Sequence, residues 1–140
     1  VRKYYDVDEI REVMHNNPRN LSLNELFLLA NSSGPDSQDY EEAFRVAALL
    51  YPDSEVANLN AANAAMQGGR FDEAEGYLNH LPENGEVLYA RGILALKRGD
   101  VAGAREFFSA ARNEGVTEAD SALQEVENYI NRKGAVTIIE

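Results

Sequence analysis

The sequence predicts an all-α chain built from about eight short antiparallel helices. Three observations carry that expectation. Apolar residues recur at three- and four-residue spacings along nearly the whole chain. Cap residues and Gly or Pro breaks punctuate the pattern at intervals suited to helices of about 9–15 residues joined by short loops. The segments then pair into units that resemble one another.

The elements follow in order. Asp6 and Glu9 have capping-box spacing and open a helix with Val7, Ile10, Val13 and Met14 on one face, ended by Asn16, Asn17 and Pro18. Ser22 and Glu25 form a second capping box, opening Leu23, Leu26, Phe27 and Ala30, before Ser32, Ser33, Gly34 and Pro35 break the chain. Ser37 or Asp39 opens the helix of Tyr40, Ala43, Phe44, Ala47 and Leu50, which Pro52 stops. Asp53 or Ser54 caps the next, carrying Val56, Leu59, Ala62, Ala65 and Met66 and ending at Gly68 and Gly69. Asp72 is expected to cap a short helix with Ala74, Tyr77, Leu78 and Leu81, closed by Pro82 and Gly85. Val87, Leu88, Gly92, Ala95 and Leu96 form another helix, and Asp100 caps the one bearing Val101, Ala104, Phe107, Phe108 and Ala111. Thr117 and Asp120 open the last, with Ala122, Leu123, Val126, Tyr129 and Ile130, ended by Lys133 and Gly134. Val136, Thr137, Ile138 and Ile139 are β-formers without helical spacing, so residues 134–140 are expected to form an extended tail.

Composition narrows the function. The 140 residues suit one domain, with 44% hydrophobic and 26% charged residues. The net charge of −11 is spread over both halves. It argues against nucleic acid, whose phosphates need Lys and Arg, and against anionic lipid. It favours solubility or a basic partner. No run of about 18 apolar residues is present, so this segment is not expected to insert in a membrane. With no cysteine, disulfides, thiolate metal sites and cysteine nucleophiles are excluded.

The internal repeat is clearest between residues 71–78 and 101–108, each following a Gly-containing turn. Ala74 aligns with Ala104, Leu78 with Phe108 and Leu81 with Ala111. Phe44 to Leu78 and Ala47 to Leu81 are both separated by about 34 residues, the period of tetratricopeptide helix pairs. The run Asn58 to Leu81, with Gly68-Gly69 and Ala74, resembles the tetratricopeptide pattern. So does Tyr89-Ala90-Arg91-Gly92 followed by Ala104 and Phe108. The departures are Asn24, Asn58 and Leu88 in place of the opening aromatic, and Tyr40 at a position normally small. The resemblance implies a tetratricopeptide-like right-handed alpha-alpha superhelix over residues 6–133. Its repeats would cover about 21–54, 55–84 and 85–116, with a capping helix at 117–132. Residues 1–5 would be the end of an upstream segment or domain.

A narrower resemblance rests on Leu21-Ser22-Leu23-Asn24-Glu25-Leu26 and on residues 51–65, from Tyr51-Pro52-Asp53 to Ala64-Ala65. These look like a Bacteroidetes surface-protein family in which an OmpA-like domain precedes a C-terminal tetratricopeptide module, often linked to fimbriae. That resemblance implies the periplasm or cell envelope, although a cytoplasmic location stays open.

In tetratricopeptide modules the first helix of each pair lines a concave groove. Carried over, this selects Glu25 and Leu29; Leu59, Asn60, Asn63, Met66 and Gln67; and Glu86, Tyr89, Ile93 and Lys97. Mixed apolar, amide and aromatic groups suit a peptide laid along helices. The alternative for Leu59, Met66 and Ile93 is simple core. Asn60 and Asn63 fall where chaperone-binding relatives clamp a C-terminal carboxylate, but Glu25 and Glu86 stand where that clamp needs bases.

No catalytic, cofactor or metal site is expected. His15 and His80 are far apart, and neither has a ligand companion at helical spacing. Gly68-Gly69 lacks the Gly-Lys-Ser/Thr of a phosphate loop. The expected function is a non-catalytic module binding a protein or peptide segment. The alternative is a structural spacer or self-association element, its contact being the convex face or the exposed face of the end helix that bears Leu123, Val126 and Ile130.

Overall fold

A computed structural model describes the backbone of residues 6–139 and the side chains of residues 6–133. The described residues form eight α-helices and no strand. They are α1 (Val7–Asn16), α2 (Leu23–Ser33), α3 (Gln38–Leu50), α4 (Glu55–Gln67), α5 (Phe71–Asn79), α6 (Gly85–Lys97), α7 (Val101–Asn113) and α8 (Glu118–Ile139), with a 3-10 turn at Pro18–Asn20. The chain divides into two units, Val1–Leu81 and Pro82–Glu140.

The cap chemistry explains the boundaries. Ser22 Oγ accepts the Glu25 N–H while Glu25 accepts the Ser22 N–H, a complete capping box. Ser37, Ser54, Asn84 and Asp100 each accept an N–H in the first turn of the helix they precede. Asp6 accepts from Asp8, so this cap is one-sided and not the box its spacing suggested. Helices α4, α6 and α7 all end with a glycine at positive φ: Gly69 at 78°, Gly99 at 82° and Gly115 at 95°. After each, a reversed bond returns to the last turn: Arg70 to Ala65, Asp100 to Ala95 and Val116 to Ala111. This is the Schellman stop, and it fits each helix pair with a tight, repeatable turn.

Two expectations need correction here. Asp72 is not a cap. Arg70 holds the N-cap position without a side-chain bond and Phe71 is already helical, because the chain enters α5 directly from the Gly69 turn. Asp72 instead places its charge in the first turn, where the helix dipole favours it. Residues 134–139 are not an extended tail but continue α8. Gly costs only about 1 kcal/mol in a helix and β-branched residues less, with no proline to interrupt propagation. Residues 1–5, expected to end an upstream segment, lie outside the described residues.

In the first unit each helix packs mainly on its neighbours in sequence: α1 on α2, α2 on α3, α3 on α4 and α4 on α5. Ile10, Met14, Leu21, Leu26, Leu29, Ala43, Phe44 and Ala47 form one buried cluster. Phe44 holds it together, with ring centroids 5.7 Å from Phe27 and 4.8 Å from Tyr40. Helix α4 is buried through Ala57, Ala61, Ala62, Ala64 and Ala65. Their small size lets α3 and α5 approach on either side. Asn58 is the exception in that helix, a buried amide discussed below.

In the second unit α7 packs on α6 and α8. Ala95, Ala104, Phe108, Leu123 and Val126 form its core, with Tyr89, Ile93 and Ile130 against it. Arg105 on α7 pairs with Glu127 on α8 at 2.7 Å.

Candidate functional site

The residues predicted to line a groove separate into three groups once they are placed. Leu29 and Met66 are core, at 0% and 3% exposure. Leu29 faces into the α1–α3 cluster. Periodicity alone could not separate core from groove at these positions, because on a helix covered from several directions both sets recur every three or four residues.

A second group is half-buried and already engaged. Glu25 closes the capping box of α2. The Tyr89 ring lies 5.6 Å from that of Phe108, tilted at 46°, so it is part of the α6–α7 packing. Ile93 packs against the same cluster. Leu59 is half-buried, as is Asn60, whose Nδ2 donates to the Val56 carbonyl one turn back at 2.8 Å.

The third group is open to solvent: Asn63, Gln67, Glu86 and Lys97. On α4, Val56, Asn60, Asn63 and Gln67 are spaced four, three and four apart and so share one stripe. Val56 at its head is 53% exposed. The foot of the stripe enters a recess of about 190 Å³ in the first unit, lined by Pro35, Asp36, Ser37, Glu41, Ala64, Gln67 and Gly68.

A larger cleft lies wholly within the second unit, with a volume of about 410 Å³. Leu96 at the end of α6, Val101 at the start of α7 and Val126 and Tyr129 on α8 supply its apolar wall. Glu125, Asn128 and Arg132 supply polar groups at the same cleft. Leu96 and Tyr129 are 41% and 42% exposed, so two large apolar side chains of this one cleft are open to solvent. The repeat pattern places Leu96 on the groove helix. It gave no sign that α8 completes a concavity beside it.

Leu123 and Val126 are 8% and 2% exposed and pack on α7, leaving Ile130 half-buried at the edge of the cluster.

Asn58 is a structural residue. It is 1% exposed, and its Nδ2 donates to the carbonyls of Pro52 and Ser54 at 3.1 and 2.8 Å. It ties the α3–α4 turn to the helix that follows.

Two acidic groups of the first unit share a pair of arginines. Glu41 lies 3.0 Å from Arg45 and 2.5 Å from Arg70, and Glu73 lies 3.5 Å and 3.6 Å from the same two arginines. This square joins α3 to the start of α5. Partial burial lowers the Arg45 affinity for its proton, and Glu73, Tyr77 and Glu41 together more than restore it, so the net shift is upward. Burial raises the Tyr77 phenol above its usual range; the Glu73 charge adds to this and Arg45 opposes it.

Structure also assembles a group that the histidine spacing concealed. His15 at the end of α1 meets Asp39 and Glu42 on α3, with ligand atoms of all three within 4.8 Å of one another. His15 Nε2 is 3.4 Å from Glu42, and Arg11 Nε donates to Asp39 Oδ2 at 2.5 Å. The Asp39 bond is the main reason that the Arg11 pKa is raised. The two α3 residues are three apart, but their histidine belongs to another helix, so no linear spacing reveals the set.

No family model and no curated protein matches this chain. No helix among the described residues is long and apolar enough to cross a membrane.

Proposed function

We propose that this chain is a non-catalytic interaction module that holds a segment of another protein or a peptide. The observation that carries this reading is the Leu96–Tyr129 cleft. Its volume, about 410 Å³, falls within the range of sites that bury a compact ligand group. Its exposed apolar walls suit one large aliphatic or aromatic anchor of a peptide, and the groups of Glu125, Asn128 and Arg132 suit the adjoining backbone. In the first unit, and as a separate surface, the amide stripe Asn60, Asn63 and Gln67 offers donors and acceptors of the kind that read an extended backbone. The net charge of −11 favours basic residues around the anchor.

The pairing of α2 with α3, α4 with α5 and α6 with α7 supports a tetratricopeptide-type construction, as do the three glycine stops. The right-handed superhelix stays part of this proposal. So does the envelope or fimbria-associated setting, which rests on the resemblance of residues 21–26 and 51–65 alone. Fractionation of the source cells with an antibody to this chain tests it; recovery in the cytosol would remove that setting.

Selection from a displayed peptide library, followed by affinity measurement, tests the binding reading. Leu96→Ser should weaken a selected peptide by about fivefold or more, since truncating a central apolar anchor contact costs over about 1 kcal/mol. Helicity should be unchanged, because Leu96 is already well exposed. Tyr89→Ala is unsuitable as a control: it removes packing on Phe108. Selection of no peptide sensitive to Leu96 or to Asn63 would overturn the reading and favour a spacer.

A further inference from the structure

We propose that His15, Asp39 and Glu42 form a site for a divalent transition-metal ion, with zinc the best match, bridging α1 to α3. The site lies in the first unit and is independent of the peptide-binding reading.

The donor set comes first. One imidazole nitrogen and two carboxylate oxygens are ligands that zinc accepts, whereas calcium and magnesium take oxygen alone. The three donor atoms already lie within 4.8 Å of one another. Around a tetrahedral ion with bonds near 2.1 Å, donors stand about 3.4 Å apart. Closing the remaining gap takes small side-chain rotations. His15 and Glu42 have side chains 46% and 36% exposed, so they are free to make them.

The backbones beneath are fixed. On α1, Ile10 and Met14 are buried on either side of the turn that leads to His15. On α3, Ala43 and Phe44 follow Glu42 directly and are buried at 0% and 3%. Donors on packed helices keep their spacing better than donors on loops.

Arg11 supplies an outer partner. Its Nε holds Asp39 Oδ2 at 2.5 Å, which orients the carboxylate. Its charge also offsets one of the two carboxylates, which weakens the site for ions held by charge alone. The His15–Glu42 contact at 3.4 Å is an ion pair only while the imidazole is protonated. A bound ion takes the place of that proton, bonding neutral His15 Nε2 on one side and Glu42 on the other. Three protein donors leave a fourth position for water or for a donor from a partner.

The test is calorimetric titration of zinc chloride into the full chain, with magnesium chloride as the hard-ion control and His15→Gln and Glu42→Gln as variants. The expected result is one zinc per chain and no comparable magnesium uptake. Either variant should weaken zinc affinity at least about tenfold. Absence of one-to-one zinc binding would overturn the proposal. So would binding that both variants retain at wild-type strength, since the ion would then sit on other carboxylates. If a variant does not fold by circular dichroism, cobalt(II) added to the wild-type protein gives the readout instead. Visible bands of a tetrahedral nitrogen–oxygen site support the proposal, and an aquo-ion spectrum contradicts it.

Discussion

Gly92 on α6 faces Phe108 on α7 so closely that a Cβ there would stand 2.5 Å from two atoms of the ring. Phe108 is fully buried and cannot swing away. The missing side chain at 92 is thus what lets α6 and α7 meet around an aromatic core. Gly92→Ala should therefore destabilise the protein by about 1–3 kcal/mol despite the better helix propensity of alanine. Phe108→Leu in the same chain should recover part of the loss, since a smaller group leaves room for the methyl. Denaturant unfolding of the two single variants and the double variant checks this; strictly additive costs would show that the two positions are not in conflict.

Asn58 and Asn63 sit on one helix with opposite fates. Asn58→Ala leaves the Pro52 carbonyl without its amide partner and removes the second donor to Ser54, in a buried setting. A loss of about 1–3 kcal/mol is expected. Asn63→Ala, on the exposed stripe, should change stability by less than about 0.5 kcal/mol. Thermal melts of both variants test the contrast, and equal losses would contradict it.

Tyr77 should give an alkaline signature. Burial and the neighbouring Glu73 raise its pKa in the folded state, so the folded chain keeps the phenol proton to higher pH than the unfolded chain. Its contribution is fully present below the unfolded value of about 10 and fades as pH climbs toward the folded one. Tyr77→Phe cannot ionise. The stability gap between wild type and variant should narrow as pH rises above about 10. Urea unfolding at a series of pH values measures the gap; parallel curves would contradict the assignment.

Helix identity was largely legible in the sequence because it is written locally. Ser22, Ser37, Ser54 and Asp100 cap helices by reaching three residues ahead, and Gly69, Gly99 and Gly115 stop them with a backbone that glycine favours. Asp72 misled for the same reason: its type suits a cap, but the turn at Gly69 had already set the start of α5. The site was less legible because it depends on which faces the packing covers. Leu29 and Met66 share the spacing of groove residues yet are buried, while Asn63 and Gln67 remain open. The Leu96–Tyr129 cleft and the His15–Asp39–Glu42 group each join residues from different helices. Their distances are set by helix packing, which no repeat period encodes.

The most direct test of the binding proposal is amide chemical-shift mapping of the labelled chain titrated with a peptide from the library selection. The largest changes should fall on residues around Leu96, Val101, Val126 and Tyr129, and Leu96→Ser should abolish them at the same peptide concentration. Changes confined to other faces of the chain, or a response that Leu96→Ser leaves intact, would contradict a binding cleft between the end of α6 and α8.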